Sequence, residues 1–136
     1  MILAQVDKED LAEAWPVALP LLLSAIEQGE EDSPESVLGA CEQGEMQLWL
    51  IATNNNQLVA AGTTRLVRHK EETHCHVLHL GGVDMRTWGK EITDTLAQWA
   101  KEAGCTKLLC QGRKGTERMY KDFGWEFDSV RLKRVL

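Results

Sequence analysis

No apolar run in the 136 residues approaches the roughly 20 that a membrane-spanning helix needs, so no membrane partner is expected. The opening residues, Met1-Ile2-Leu3-Ala4-Gln5-Val6-Asp7-Lys8, lack a basic stretch followed by an apolar one, so no secretory signal is expected either. Cys41, Cys75, Cys105 and Cys110 show no C-x-x-C spacing. Without a secretion signal they read as reduced, mostly buried thiols, and the expected location is the cytoplasm. Excess positive charge is missing too. The formal net charge is −6, which argues against a nucleic-acid partner. Acidic residues gather before residue 46, while Arg113, Lys114, Arg118, Lys121, Arg131, Lys133 and Arg134 gather in the last quarter. That quarter could offer an anion a local basic patch, although a solvated surface is the plainer reading. There is no internal repeat, linker or low-complexity tract, so a single domain spanning 1–136 is expected.

The hydrophobic pattern predicts alternating elements. Residues 2–6 are β-prone. Over 10–28, Leu11, Trp15, Ala18, Leu19, Leu22 and Ile26 recur at helical spacing. Pro16 and Pro20 fall inside that run, and each removes an amide donor and crowds the preceding turn, so a break or kink is expected, with Pro16 opening a second helix. Ser33-Pro34-Glu35-Ser36 is a helix start, with Ser33 as N-cap. The period then changes. Strands are expected over 47–53, 57–69 and 74–80, with turns at Asn54-Asn55-Asn56 and Lys70-Glu71-Glu72. Gly81-Gly82 suggest a bulge or a close backbone approach. A helix is expected over 89–103, with Ile92, Leu96, Trp99, Ala100 and Ala103 on one face and Gly104 after its end. A strand over 105–111, a short helix from Thr116 to Phe123 and a last strand over 125–136 complete the chain.

Glycine is scarce where it would matter most. Residues 83–96 have the layout of a strand-to-helix turn, which binds phosphate by aiming bare N–H groups and the positive end of a helix at the anion. Gly89 stands at the turn, but Glu91 and Thr93 occupy two positions where glycine is wanted. Trp88 brings no basic or amide group to the turn, which removes one more phosphate partner. Glu91 in a first helical turn favours the helix by ~0.3–1 kcal/mol. Near a pyrophosphate it would repel by about 4 kcal/mol, taking like charges ~4 Å apart at an effective dielectric of ~20, with Lys90 offsetting part.

The element order, β-α-α-β-β-β-α-β-α-β, resembles the GNAT fold of acyl-CoA-dependent N-acyltransferases: an α/β (α+β) domain with a mixed, mostly antiparallel sheet of six or so strands and four helices. Val83, Gly89, Ile92 and Leu96 fall in register with that family's loop and helix. Tyr120-Lys121-Asp122-Phe123-Gly124-Trp125 resembles its closing pattern, and Gly81-Gly82 lie where its fourth strand bulges and splays from the fifth. More narrowly, Trp15 with Pro16 and Pro20, Gln47-Leu48-Trp49, and Gly112-Arg113-Lys114-Gly115 resemble small GNAT-like proteins of phage and prophage genomes.

The resemblance implies acetyl transfer from acetyl-CoA to a small-molecule or protein amine. Backbone N–H groups at Gly82 and Val83 would polarise the thioester carbonyl. Loop amides at Trp88, Gly89 and Lys90 would hold the pyrophosphate, and Tyr120 would protonate the departing thiolate. A general base would come from a carboxylate, a histidine or a water chain lining the splayed strands, with His76 or His79 the first choice, although strand alternation puts them on opposite faces. Each role has a plainer counterpart. Tyr120 fits an amphipathic helix with Met119 and Phe123. The cluster His74, Cys75, His76 and His79 lacks zinc spacing, so no metal is expected. With the loop glycines missing, acetyl-CoA binding is expected to be weak or absent, and the alternative is a non-catalytic GNAT-fold binding or structural protein. Exposed strand edges and five tryptophans are compatible with a homodimer, while tryptophans at helical spacing are more often core.

Overall fold

A computed structural model describes residues 1–29, 31–112, 115–129 and 131–136; Arg113 and Lys114, two members of the expected basic patch, lie outside them. The elements are β1 (Ile2–Gln5), a 3-10 turn (Lys8–Asp10), α1 (Leu11–Gln28), α2 (Pro34–Glu42), β2 (Gln47–Ala52), β3 (Leu58–His69), β4 (Glu72–Gly82), α3 (Met85–Glu102), β5 (Lys107–Cys110) and α4 (Glu117–Asp122). The sheet runs β1-β2-β3-β4-β5, antiparallel from β1 to β4, with β5 parallel to β4. Both hairpin turns stand where the sequence puts them, and each places a non-glycine residue at positive φ: Asn56 at 62° and Lys70 at 56°.

Side chains alternate across the sheet and build two cores. On one face, Leu48 and Ala61 meet Ala18, Leu22 and Ile26 of α1 and Val37 of α2. On the other, Trp49, Ile51, Ala60 and Val77 meet Ile92 and Leu96 of α3, with Trp99 edge-on to Trp49 at 4.7 Å between ring centres. Each fully buried Leu or Ile of these cores contributes about 1.5–3 kcal/mol. The buried polar groups are paired: Trp49 Nε1 donates to Thr64 Oγ1 (2.9 Å), which donates to Gln47 Oε1 (2.8 Å). Ser33 caps α2 as expected, with reciprocal bonds between the Ser33 and Ser36 hydroxyls and backbone amides at 3.1 and 2.9 Å.

The structure differs from expectation in two places. α1 runs without a break through Pro16 and Pro20, so Pro16 opens no second helix. The two prolines are four residues apart and both exposed, so the carbonyls they release are on the solvent side, where water satisfies them. Leu11, Ala18, Leu22 and Ile26 meanwhile hold the opposite side of the helix in the core. The segment 125–136 forms no strand among the described residues, which leaves five strands in the sheet. Phe127, Leu132 and Val135 are exposed, and Arg131 Nη2 is paired with Glu31 Oε1 at 2.8 Å.

Candidate functional site

The site is a slot between β4 and β5. Among the described residues, pairing between these strands runs from His74↔Lys107 to Val77↔Cys110, while β4 continues to Gly82. The cause is a bulge: Thr63 of β3 opposes His79 and Thr64 opposes Val77, so Leu78 is an extra residue on β4. The bulge therefore lies four residues before Gly82. Gly81 and Gly82 provide the close approach instead. A Cβ on Gly81 would sit 2.0 Å from the Leu21 carbonyl oxygen of α1, and one on Gly82 would sit 2.3 Å from the Val59 carbonyl oxygen.

The register also shows where the slot's amides point. Val83 N–H donates to Val59 O (2.9 Å), so Val83 faces β3 and its amide is already used. Bonded and non-bonded pairs alternate along an antiparallel ladder. The pairs Ala60↔Gly82 and Gly62↔Leu80 are thus the non-bonded ones, and the Gly82 and Leu80 amides turn away from β3 into the slot. The opposite wall is residues 111–112. Tyr120 lies over it, its ring 3.5 Å from the position of a Gly112 Cβ and edge-on to Phe123 (6.4 Å) and Trp125 (6.0 Å).

The same bulge corrects the histidine expectation. Ala61, Thr63 and Arg65 share the α1/α2 face by regular alternation of β3, and their partners are Gly81, His79 and His76. His76 and His79 therefore lie on one face, because the extra residue shifts the phase. His79 is 5% exposed, with Nδ1 2.6 Å from Thr63 Oγ1 and Nε2 3.1 Å from Asp32 Oδ2. A carboxylate only accepts, so Nε2 carries the proton and Nδ1 accepts from the threonine hydroxyl. Both ring nitrogens are engaged. The partly exposed member of this chain is Asp32, which belongs to no sequence motif. His76 makes no hydrogen bond among the described residues, but it stands within the β4–β5 ladder opposite Leu109. It is roughly 13 Å along the strand from Leu80 at ~3.3 Å per residue. His74 Nε2 lies 3.2 Å from Glu72 Oε2. No group of three or more metal-ligating side chains occurs among the described residues.

Burial lowers the basicity of both histidines, with Asp32 partly opposing this at His79 and Arg65 adding to it at both. An imidazole whose folded pKa lies below the unfolded value of 6.5 stabilises the fold above that pH. Its contribution is lost as the pH falls, because the unfolded chain takes up the proton first. Urea unfolding is therefore expected to show lower stability at pH 5.5 than at pH 7.5, and His79→Gln should flatten that dependence. An equal slope in the variant would remove His79 from the account.

The expected phosphate cradle is closed. α3 begins at Met85, four residues earlier than the sequence suggests, with Asp84 in the left-handed region (φ 53°) before it. Trp88 N–H donates to Asp84 O at 3.1 Å, and Gly89 and Lys90 follow inside the helix, so the three amides assigned to a pyrophosphate are spent on helical bonds. Gly89 is buried, and a Cβ there would lie 2.4 Å from the Phe123 ring. Thr93 Oγ1 accepts from Trp125 Nε1 (3.0 Å). Lys90 is paired with Asp94 at 2.8 Å, and Glu91 lies 3.5 Å from the N-terminal ammonium. Phe123 and Trp125, joined by Gly124 at φ 92°, thus cover Gly89 and Thr93, two of the three positions where a glycine would admit phosphate. The residues present fit the thioester arm of acetyl-CoA at the slot but not its pyrophosphate at α3.

The whole chain resembles solved acetyltransferases. It matches a probable acetyltransferase at a TM-score of 0.72 and 13% identity, covering 100% of this chain and 97% of that one. Glucosamine-6-phosphate N-acetyltransferase from Arabidopsis thaliana matches at 0.65 and 13%, covering 98% and 97%. An aminoglycoside acetyltransferase from an uncultured soil metagenomic sample, solved with sisomicin, matches at 0.68 and 17%, covering 99% and 95%. No family model and no curated sequence matches the chain. No helix among the described residues is long and apolar enough to cross a membrane. With identities this low the likeness speaks to architecture alone: the chain has the GNAT acetyltransferase fold.

Proposed function

We propose that the chain is a single-domain, cytoplasmic N-acyltransferase of the GNAT kind, moving an acyl group, acetyl in the simplest case, from a thioester to a small-molecule or protein amine. The observation that carries this reading is the slot: pairing with β5 ends at Val77, and the Leu80 and Gly82 amides turn into the gap beyond it. These N–H groups would polarise the thioester carbonyl where negative charge develops. The amine nitrogen bonds to the carbonyl carbon and the carbon–sulfur bond breaks. Asp32 takes the proton the amine loses. His79, one residue from Leu80, holds that carboxylate and acts as a positioning residue. Tyr120, over the far wall, gives its proton to the leaving thiolate. The solved relatives whose names specify an amino sugar or an aminoglycoside make a polar primary amine the first acceptor class to test.

The test is acyl transfer from an acetyl thioester to a panel of aminosugars, aminoglycosides and peptide N-termini. Tyr120→Phe and Asp32→Asn should each lower kcat by about 100-fold or more with little change in KM, the usual size of a general acid or base contribution. An unchanged rate would remove that residue from the mechanism. A second reading is favoured by the closed cradle: a non-catalytic GNAT-fold binding or structural protein, in the phage or prophage setting suggested by Trp15, Pro16 and Pro20. Absence of turnover with every donor and acceptor would favour it.

A further inference from the structure

Resting on the transferase reading, we propose that this site recognises its donor through the acyl-pantetheine arm alone and makes no productive contact with a nucleotide pyrophosphate. Three separate observations support this. The amides of Trp88, Gly89 and Lys90 are not available, because α3 starts at Met85 and uses them in its own ladder. The approach to the helix is filled by aromatic rings. Phe123 occupies the space over Gly89, and Trp125 bonds to the Thr93 hydroxyl. The charges nearby give an anion no net attraction: Asp84, Glu91 and Asp94 balance Arg86, Lys90 and the N-terminal ammonium, with Lys90 paired to Asp94 and the ammonium to Glu91.

At the arm's end of the site the available groups are strand backbone. A pantetheine chain carries two amide groups, and an unpaired strand edge satisfies an extended amide chain as another strand would. Beyond Val77, β4 presents such an edge, with the Leu80 and Gly82 groups turned outward. The site thus offers backbone hydrogen bonding to the arm and the thioester, while Trp88, Gly89 and Lys90 offer no free amide beyond them. The donor class is an acyl-pantetheine thioester. Acetyl-CoA belongs to it but gains nothing from its nucleotide.

The experiment uses the intact wild-type chain and compares S-acetyl-pantetheine with acetyl-CoA by isothermal titration and by KM for acyl transfer. Adenosine 3′,5′-bisphosphate is added as a competitor. The expected result is affinities equal within about threefold and no competition by the bisphosphate. A working cradle would make acetyl-CoA at least about a hundredfold tighter, from two charge-assisted hydrogen bonds to phosphate. Such a preference, or competition by the bisphosphate, would overturn the inference and leave the transferase reading intact. If neither thioester binds or turns over, both fall. The two failures are therefore distinguishable.

Discussion

Gly81→Ala is expected to destabilise the domain by about 3 kcal/mol or more, at the upper end of overpacking costs. The new methyl group would lie 2.0 Å from the Leu21 carbonyl oxygen and 3.1 Å from its carbonyl carbon. Both are backbone atoms of α1, so no rotamer change relieves the clash. Either the helix or β4 must move, and the two share the core of Leu22, Ile26 and Ala61. Thermal unfolding should show a fall on the order of 10 °C for a domain of this size. Gly39→Ala is the matching control. It lies inside α2 with nothing within 4 Å of an added Cβ, so the change should be neutral or stabilising by up to about 1 kcal/mol. A Gly81→Ala protein as stable as wild type would mean that α1 is not seated against β4 as described. Gly81 lies between Leu80 and Gly82, so the contact that seats α1 also sets the two slot amides.

Gly89→Ala is expected to cost about 1–3 kcal/mol, and the sign is the informative part. If Gly89 served only to let a ligand approach the backbone, alanine would stabilise the helix by about 0.5–1 kcal/mol. In this structure a Cβ at Gly89 meets Phe123 at 2.4, 2.7 and 3.0 Å, and that ring is itself buried. The penalty should shrink in a Phe123→Leu background, giving a coupling of at least about 1 kcal/mol in a double-mutant cycle. Additive effects, or a stabilised Gly89→Ala protein, would separate Gly89 from Phe123.

Much of the fold was legible because its signals are local. The capping box at Ser33, the turn asparagines and the stripe Ile92, Leu96 and Ala100 each depend on residues a few positions apart. What was illegible depends on tertiary placement. Pro16 and Pro20 leave the Ala12 and Pro16 carbonyls without an intrahelical donor, and whether those carbonyls face water or the core is invisible in a sequence. The bulge at Leu78 reverses the alternation that separates His76 from His79, and no residue type there announces it. Asp32 sits far in sequence from His79 and carried no motif. The cradle shows the same limit. Glu91 and Thr93 signalled that glycines were missing, but not that α3 would extend back to Met85 and be covered by Phe123 and Trp125. Pattern alone put a strand over 125–136, yet no strand forms there among the described residues, where Trp125 bonds to Thr93 and Arg131 to Glu31.

The closed cradle is the central claim, and backbone amide hydrogen exchange at Trp88, Gly89 and Lys90, with and without acetyl-CoA, tests it most directly. The predicted result is protection comparable to the rest of α3 in the free protein, with no change when acetyl-CoA is added. Fast exchange at these three amides in the free protein, slowed by acetyl-CoA, would show an open loop that receives the pyrophosphate and would contradict the account.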